Sequence, residues 1–549
     1  MKAGRHRRLL APAAVVLTLG LALSSCSSTA TGTDGVIITA NTGASGAFVR
    51  NFNPFLPNQA QAGYGGTIYE SLLFFDMAER RPPVPQLATA ATFSPDGRTL
   101  TVTTRDGVKW QDGQAFTAQD VAFTFDAMIK HPELNTNGLT LAAATAPDDH
   151  TAKITFAQPA FNQLWGAAGR TLIVPKHIWE KIADPATELN ANPVGTGPFT
   201  LDAFSPQTFL LKKNPGYWEQ GKPAIDGVRF ISFSDNTSAN QSLLAGKIDW
   251  GNTFVPDPEK NWVAKDPKTH LVPSAGIYQT SLVPNLTTWP TNDLAVRQAM
   301  NLALDRKRIV ETVYFGIAKV PSPELLQTPR DDGFRITGPV TRDPAAARAA
   351  LEKAGYTRGA DGVYVDKGGR RLEISIKVVT GYTDYIQALQ LMQQQLAEAG
   401  ITLTVQQVSS AQFNSDRSTG TFQLLIDGLG GKPDPYQLYN QVLASATTAP
   451  IGQKAASNWS RFSDPQVDAA LSAMAGTDDE AVLKQRAQEI ARVMLDKLPY
   501  VPIFQNSPNA TFLATKVTGW PTDDNAYALS RADSYPDTGF VAKNLKPVG

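Results

Sequence analysis

One cysteine in 549 residues leaves no partner for an internal disulfide, so the folded body must be held by its cores. Histidine is almost as scarce. The five, His6, His131, His150, His177 and His270, are scattered, and no His-Glu-x-x-His or other paired ligand spacing occurs. A G-x-S-x-G nucleophile elbow and a G-x-x-x-x-G-K-[ST] phosphate loop are both missing. Neither sign of charge is in excess, with 50 basic and 50 acidic side chains, so the basic footprint of a nucleic-acid binder is absent. No apolar run reaches the roughly 20 residues of a comfortable membrane span. These gaps leave a non-enzyme with no catalytic residue, no metal and no cofactor as the expectation.

The N-terminus carries a patterned segment. Lys2, Arg5, Arg7 and Arg8 precede an apolar stretch over residues 9–23, interrupted by Thr18 and Gly20. This is the pattern of an export signal. It ends in Leu23-Ser24-Ser25-Cys26, which resembles the bacterial lipobox; Cys26 is then the acylation site and residues 1–25 the signal peptide. Residues 26–35, rich in Ser, Thr and Gly, read as a flexible tether. Without the signal, 46 basic residues face 50 acidic ones, a net charge of −4. The remaining chain exceeds one hydrophobic core, and several lobes are expected.

Local patterns supply an α/β framework. Pro95-Asp96-Gly97 turns a hairpin over residues 92–104, where Leu100, Val102 and Thr104 alternate with Thr99, Thr101 and Thr103. Thr117 and Asp120 open a helix. Residues 152–156 and 197–212 read as strands of one sheet region, residues 68–75 as a helix or strand, and residues 293–313 as one helix. A strand at 374–378, a helix at 385–399 closed by Gly400, and a strand from 401 form a β-α-β unit with parallel strands.

The stretch 87–127 then identifies a relationship. Ser94-Pro95-Asp96-Gly97, Arg105-Asp106-Gly107-Val108-Lys109-Trp110, Asp112-Gly113, Phe116-Thr117-Ala118 and Asp120-Val121 resemble the signature of the bacterial extracellular solute-binding proteins, family 5. Gly195-Thr196-Gly197-Pro198-Phe199, Asn214-Pro215-Gly216-Tyr217-Trp218, Val296-Arg297-Gln298-Ala299-Met300 and Leu498-Pro499-Tyr500-Val501-Pro502 are similar to later landmarks. The resemblance implies a two-lobed α/β fold of the periplasmic-binding-protein type II, large-cluster kind, with an extra domain and a hinged ligand cleft. It implies domain I from residues 36–65, 194–283 and 509–549, domain II from 66–193, and domain III from 284–508. It also implies a lipoprotein on the outer face of the cell membrane, a monomer that hands its ligand to ABC permease subunits. Peptide is the expected ligand, with an oligosaccharide or another small solute as the alternative; a secreted enzyme or surface interaction protein on the same scaffold is the other class.

Peptide-binding relatives pair the ligand ammonium with an Asp in a domain III loop. By register that position is Lys432 here, so Asp434 or Asp427 is the expected substitute. Gly428 and Leu429 belong to the same loop, whose glycines allow close backbone approach. Trp165, Tyr436 and Trp459 are candidate ring surfaces for a ligand. Asn53 and Phe55 are candidates from an N-terminal loop that approaches the cleft in relatives.

Overall fold

The computed structural model describes residues 35–41, 47–56, 63–79, 81–273, 277–506 and 510–548; Cys26 and the expected signal peptide lie outside the described residues. Three sheets organise the body. Val36–Asn41 lies inside a seven-stranded sheet, parallel to Gly227–Ser232 and to Trp250–Asn252. Thr208–Lys213 and Phe199–Phe204 extend one side, and Ala510–Leu513 and His270–Leu271 the other. A four-stranded antiparallel sheet contains the expected hairpin, Ala88–Phe93 with Thr99–Thr104, followed by Thr151–Phe156 and Leu141–Thr145. A five-stranded sheet runs in the order Thr402–Val408, Glu373–Val379, Leu424–Gly430, Tyr278–Pro284 and Val501–Asn506.

The helix over the four-stranded sheet, Ala118–Lys130, starts at a capping box. Thr117 accepts from the Gln119 N–H, and Asp120 accepts from the Thr117 N–H. In the five-stranded sheet, Glu373–Val379 and Thr402–Val408 pair in parallel around Thr383–Glu398, as the β-α-β reading requires. Gly400 follows with φ +78°, a conformation that suits a residue without Cβ.

Several expectations need correction. The single helix over 293–313 is two, Leu294–Ala303 and Arg306–Val313. Asp305 accepts from the Arg308 N–H and so caps a fresh start. The buried Arg306 guanidinium fastens the break by donating to Asn301 O and Pro502 O. Residues 68–75 are mostly irregular chain, with a two-residue strand at Leu73–Phe74. The strands near 152–156 and 197–212 belong to different sheets. Tyr278–Pro284 joins the five-stranded sheet, so a boundary at 283/284 would cut a strand.

The chain crosses between the seven- and five-stranded sheets twice, between residues 271 and 278 and again between 506 and 510. The C-terminal segment returns over the seven-stranded sheet. Trp520 stacks on Phe512 at 4.5 Å, and Trp250 Nε1 donates to Ser530 O at 2.7 Å. The helix Asp537–Asn544 packs so closely on the N-terminal loop that a Cβ on Gly539 would lie 1.9 Å from Gly66 backbone atoms. This contact sets the position of residues 529–536. Gly539→Ala is therefore expected to lower stability by about 1–3 kcal/mol, the range of overpacked sites. Chemical denaturation checks it, with Gly338→Ala, where an added Cβ meets nothing within 4 Å and φ is not positive, as the comparison.

Candidate ligand-binding site

A cavity of about 240 Å³ opens between residues of the seven- and five-stranded sheets. From the seven-stranded side come Asn252 and Thr253, at the end of Trp250–Asn252, and Asn236, the first residue of the helix Asn236–Leu244. The five-stranded side contributes Tyr278, Asp427 and Gly428, on adjacent antiparallel strands. Tyr382, Asp384 and Tyr385 come from the start of the helix Thr383–Glu398, and the C-terminal return adds Arg531 and Asp533. Asn236 Nδ2 donates to Thr383 Oγ1 at 3.4 Å beside the cavity, and Arg330 Nη1 donates to Met77 O at 2.9 Å, so the two halves touch around it.

Charge is distributed unevenly among these groups. Arg531 grips Asp533 through two bonds, Nε to Oδ1 at 2.8 Å and Nη2 to Oδ2 at 2.7 Å. Burial alone would raise the Asp533 carboxyl; Arg531 overcomes it and holds the group below the usual range. Asp427 Oδ2 accepts from Arg417 Nη1 at 2.7 Å. Asp384 is different. Among the described residues no Lys or Arg nitrogen lies within 4 Å of it. It is 5 % exposed, and its side chain accepts from Tyr314 Oη at 3.3 Å. Burial pushes its carboxyl up to about 6, against smaller opposing effects of backbone N–H groups, Tyr314 and Arg531. Burial also raises the phenols of Tyr278, Tyr382 and Tyr385, which remain protonated donors. The cavity thus offers, among hydroxyls, amides and rings, one carboxylate with no ion-pair partner among the described residues.

Of the residues singled out in the sequence, Asp427 and Gly428 line this cavity. Leu429 turns into a core with Tyr436, which is 8 % exposed. Asp434 accepts from the Gln437 N–H and caps the helix Pro435–Leu443. Trp459 packs on the same core under the Arg417 guanidinium, 4.9 Å from its ring centre. Trp165 is buried in a separate cluster with Met77, Ile277 and Leu529. Asn53 and Phe55 are packing residues. Asn53 Nδ2 ties down Pro185 O and Glu188 O at 2.8 Å, and Phe55 meets Trp179 edge-on at 5.2 Å.

The sequence reading missed the other nine lining residues. One carried a signal. Asp384 shares a helix stripe with Ala388 and Met392, so an acid stands on a largely apolar buried face that also holds Gln395. Arg531 and Asp533 lie in irregular chain with no periodicity to mark them.

Two sheet-based lobes, joined by two crossovers and enclosing a polar cavity, define a binding protein of the periplasmic type with a ligand cleft between lobes. The comparisons give the family. Residues 82–450 match Bacterial extracellular solute-binding proteins, family 5 Middle, and the chain belongs to that family. It is 26 % identical over 470 residues to the glutathione-binding protein GsiB of Salmonella typhi, covering 81 % of this chain and 85 % of that one. The periplasmic oligopeptide-binding protein of Thermotoga maritima, solved with mannohexaose, is similar in fold at a TM-score of 0.84 and 23 % identity, covering 94 % of this chain and 99 % of that one. AppA of Bacillus subtilis, solved with a nonapeptide, gives 0.77 and 20 % over 94 % and 99 %.

The state of Asp384 has a consequence for the ligand-free protein. Its folded value near 6 lies above the unfolded value near 4, so ionisation in the fold is a cost. That cost is fully present above pH 6 and vanishes below about pH 4. Asp384→Asn should stabilise the unliganded protein by about 2 kcal/mol at pH 7.5, and the gain should disappear near pH 4. Denaturant titrations at the two pH values check this; a variant less stable than wild type at pH 7.5 would contradict it.

Proposed function

We propose that this protein is the extracytoplasmic, lipid-anchored receptor of an ABC importer, which captures peptides in the interlobe cleft and delivers them to a membrane permease. The observation that carries the ligand class is Asp384, a buried carboxylate at the cavity with no cation of its own. A peptide's α-ammonium group supplies that cation. Asp427 and Asp434 are weaker candidates for the role, because Arg417 and a helix N-terminus already engage them. Relatives known to bind glutathione and a nonapeptide support the peptide class. No chemistry on the ligand is included: the protein binds, closes about its hinge and releases.

A second reading, oligosaccharide, draws support from the three tyrosine rings at the cavity and from the mannohexaose-bound relative. Calorimetry with trialanine, glutathione and mannohexaose separates the two. On the peptide reading, Asp384→Asn weakens trialanine about 10–100-fold, the worth of a charge-assisted hydrogen bond. Wild-type affinity also falls as the pH drops from 7.5 through 6 to 5, because a proton competes with the ammonium for a carboxyl that titrates near 6. Tight binding of mannohexaose, weakened by Tyr382→Ala and indifferent to pH, would transfer the assignment to glycans.

The anchor rests on Cys26 at the end of a charged and apolar leader. Diacylglyceryl and acyl chains contribute about 0.8 kcal/mol per buried methylene. Cys26→Ser is expected to move the protein from the membrane fraction to the medium or to leave it unprocessed. Unchanged lipid labelling of the variant would refute the anchor.

A further inference from the structure

The four-stranded sheet contributes no residue to the 240 Å³ cavity, yet a turn beside it meets the lobe of the five-stranded sheet directly. That turn is Phe161–Gln163, and the sheet fixes it on both sides of Asn162. Ala160 N donates to Gly97 O at 2.9 Å, in the Pro-Asp-Gly turn of the hairpin. The Phe161 ring covers Gly97 so closely that a Cβ there would lie 2.4 Å from it. Gln163 closes on Thr140, accepting from its N–H at 2.9 Å and donating to its Oγ1 at 3.0 Å. Asn162 is therefore presented by backbone that has little freedom of its own.

Both polar ends of Asn162 are used by the other lobe. Its side-chain amide donates to Met474 O and reaches Thr477 O at 3.5 Å. These carbonyls lie at and just past the C-terminus of the helix Pro465–Ala475, where the last carbonyls have no partner within the helix. In return the Asn162 carbonyl accepts from Gln437 Nε2. Gln437 is in the first turn of Pro435–Leu443, the helix that Asp434 caps through the Gln437 N–H. One residue thus ties two helices of the five-stranded lobe to the four-stranded sheet. The four-stranded sheet is in turn fastened to the seven-stranded one. Gln111 donates from its backbone N–H to Gly195 O at 2.9 Å and from Nε2 to Phe199 O at 2.8 Å, and Lys543 Nζ donates to Gln86 Oε1 at 2.8 Å. The bond from Arg330 to Met77 O is a second bridge from the five-stranded lobe to this part of the chain, with Arg330 held by two bonds to Asp331.

We propose that Asn162 and Gln437 form a latch through which the four-stranded domain holds the two lobes together, whether or not a ligand lies between them. None of the latch residues lines the cavity, so the latch favours closure equally for every ligand and governs how long a ligand stays, not which ligand enters. Each of its hydrogen bonds shifts the ratio of closed to open protein by about 2–10-fold. The latch rests on the hinged-receptor reading and is independent of the ligand class.

The test is X-ray scattering of the ligand-free protein on a Cys26→Ser background, which has no thiol to acylate. Asn162→Asp keeps the shape of the side chain but turns an acceptor toward two carbonyl oxygens. Gln437→Glu does the same to the second bond. Both variants should show a larger radius of gyration than the background protein at pH 7.5. At pH 4 a carboxyl facing carbonyl oxygens is protonated and donates to Met474 O again, so the Asn162→Asp profile should return to that of the background protein at the same pH. Misfolding would not reverse in this way. Profiles of both variants that superimpose on the background at pH 7.5 overturn the latch, as does an expansion of Asn162→Asp that persists at pH 4. No ligand enters the measurement, so its failure leaves the receptor reading standing, and a failure of the peptide reading leaves the latch standing.

Discussion

Burying an ionised carboxylate without a hydrogen-bonded cation is expensive for a fold, and Asp384 is held that way, with Arg531 acting on it only as a smaller influence. The charges around it are committed elsewhere. Arg531 is closed on Asp533 by two hydrogen bonds, and Arg417 is closed on Asp427. Backbone N–H groups, Tyr314 and the charge of Arg531 offset only part of the cost. On the proposed reading, a ligand that supplies a cation here would stabilise a closed arrangement more than an open one. Such differential affinity is what couples binding to closure.

The architecture explains why this point falls between lobes. The seven-stranded sheet is assembled from distant pieces of chain, and its Ala510–Leu513 strand comes after the five-stranded sheet is complete. The chain must cross twice, and the cavity is lined by residues from both sides of the crossing. The C-terminal return then places Arg531 and Asp533 against Tyr278 of the other sheet, with the Arg531 guanidinium 5.4 Å from the ring centre. Helix Asp537–Asn544, seated on Gly66, holds that return in place. The cavity-lining residues thus sit at element ends, with flanking irregular chain pinned by close backbone packing.

What was legible in the sequence follows the same division. Strand alternation, the Pro-Asp-Gly turn, the Thr117 box and the β-α-β periodicity are local signals, and the structure contains each of them. Sheet membership is not local: nothing in residues 151–156 states that they pair with 99–104 instead of the strands beyond 197. The helix over 293–313 broke because Asp305 caps better than it continues, a competition that apolar periodicity alone does not register. In the site, aromatic rings were a misleading guide, since Tyr436, Trp459 and Phe55 fill cores. The informative residue was the acid on a largely apolar helix face, Asp384. Arg531 and Asp533 became visible only when the chain was folded back across the sheet.

The most direct measurement is a crystal structure of the protein with trialanine in the cleft. The account predicts the peptide's ammonium nitrogen within hydrogen-bonding distance of the Asp384 carboxylate, with the Arg531–Asp533 pair still closed on itself. A peptide whose ammonium pairs with Asp427 or Asp434, or one seated away from this cavity, would contradict it.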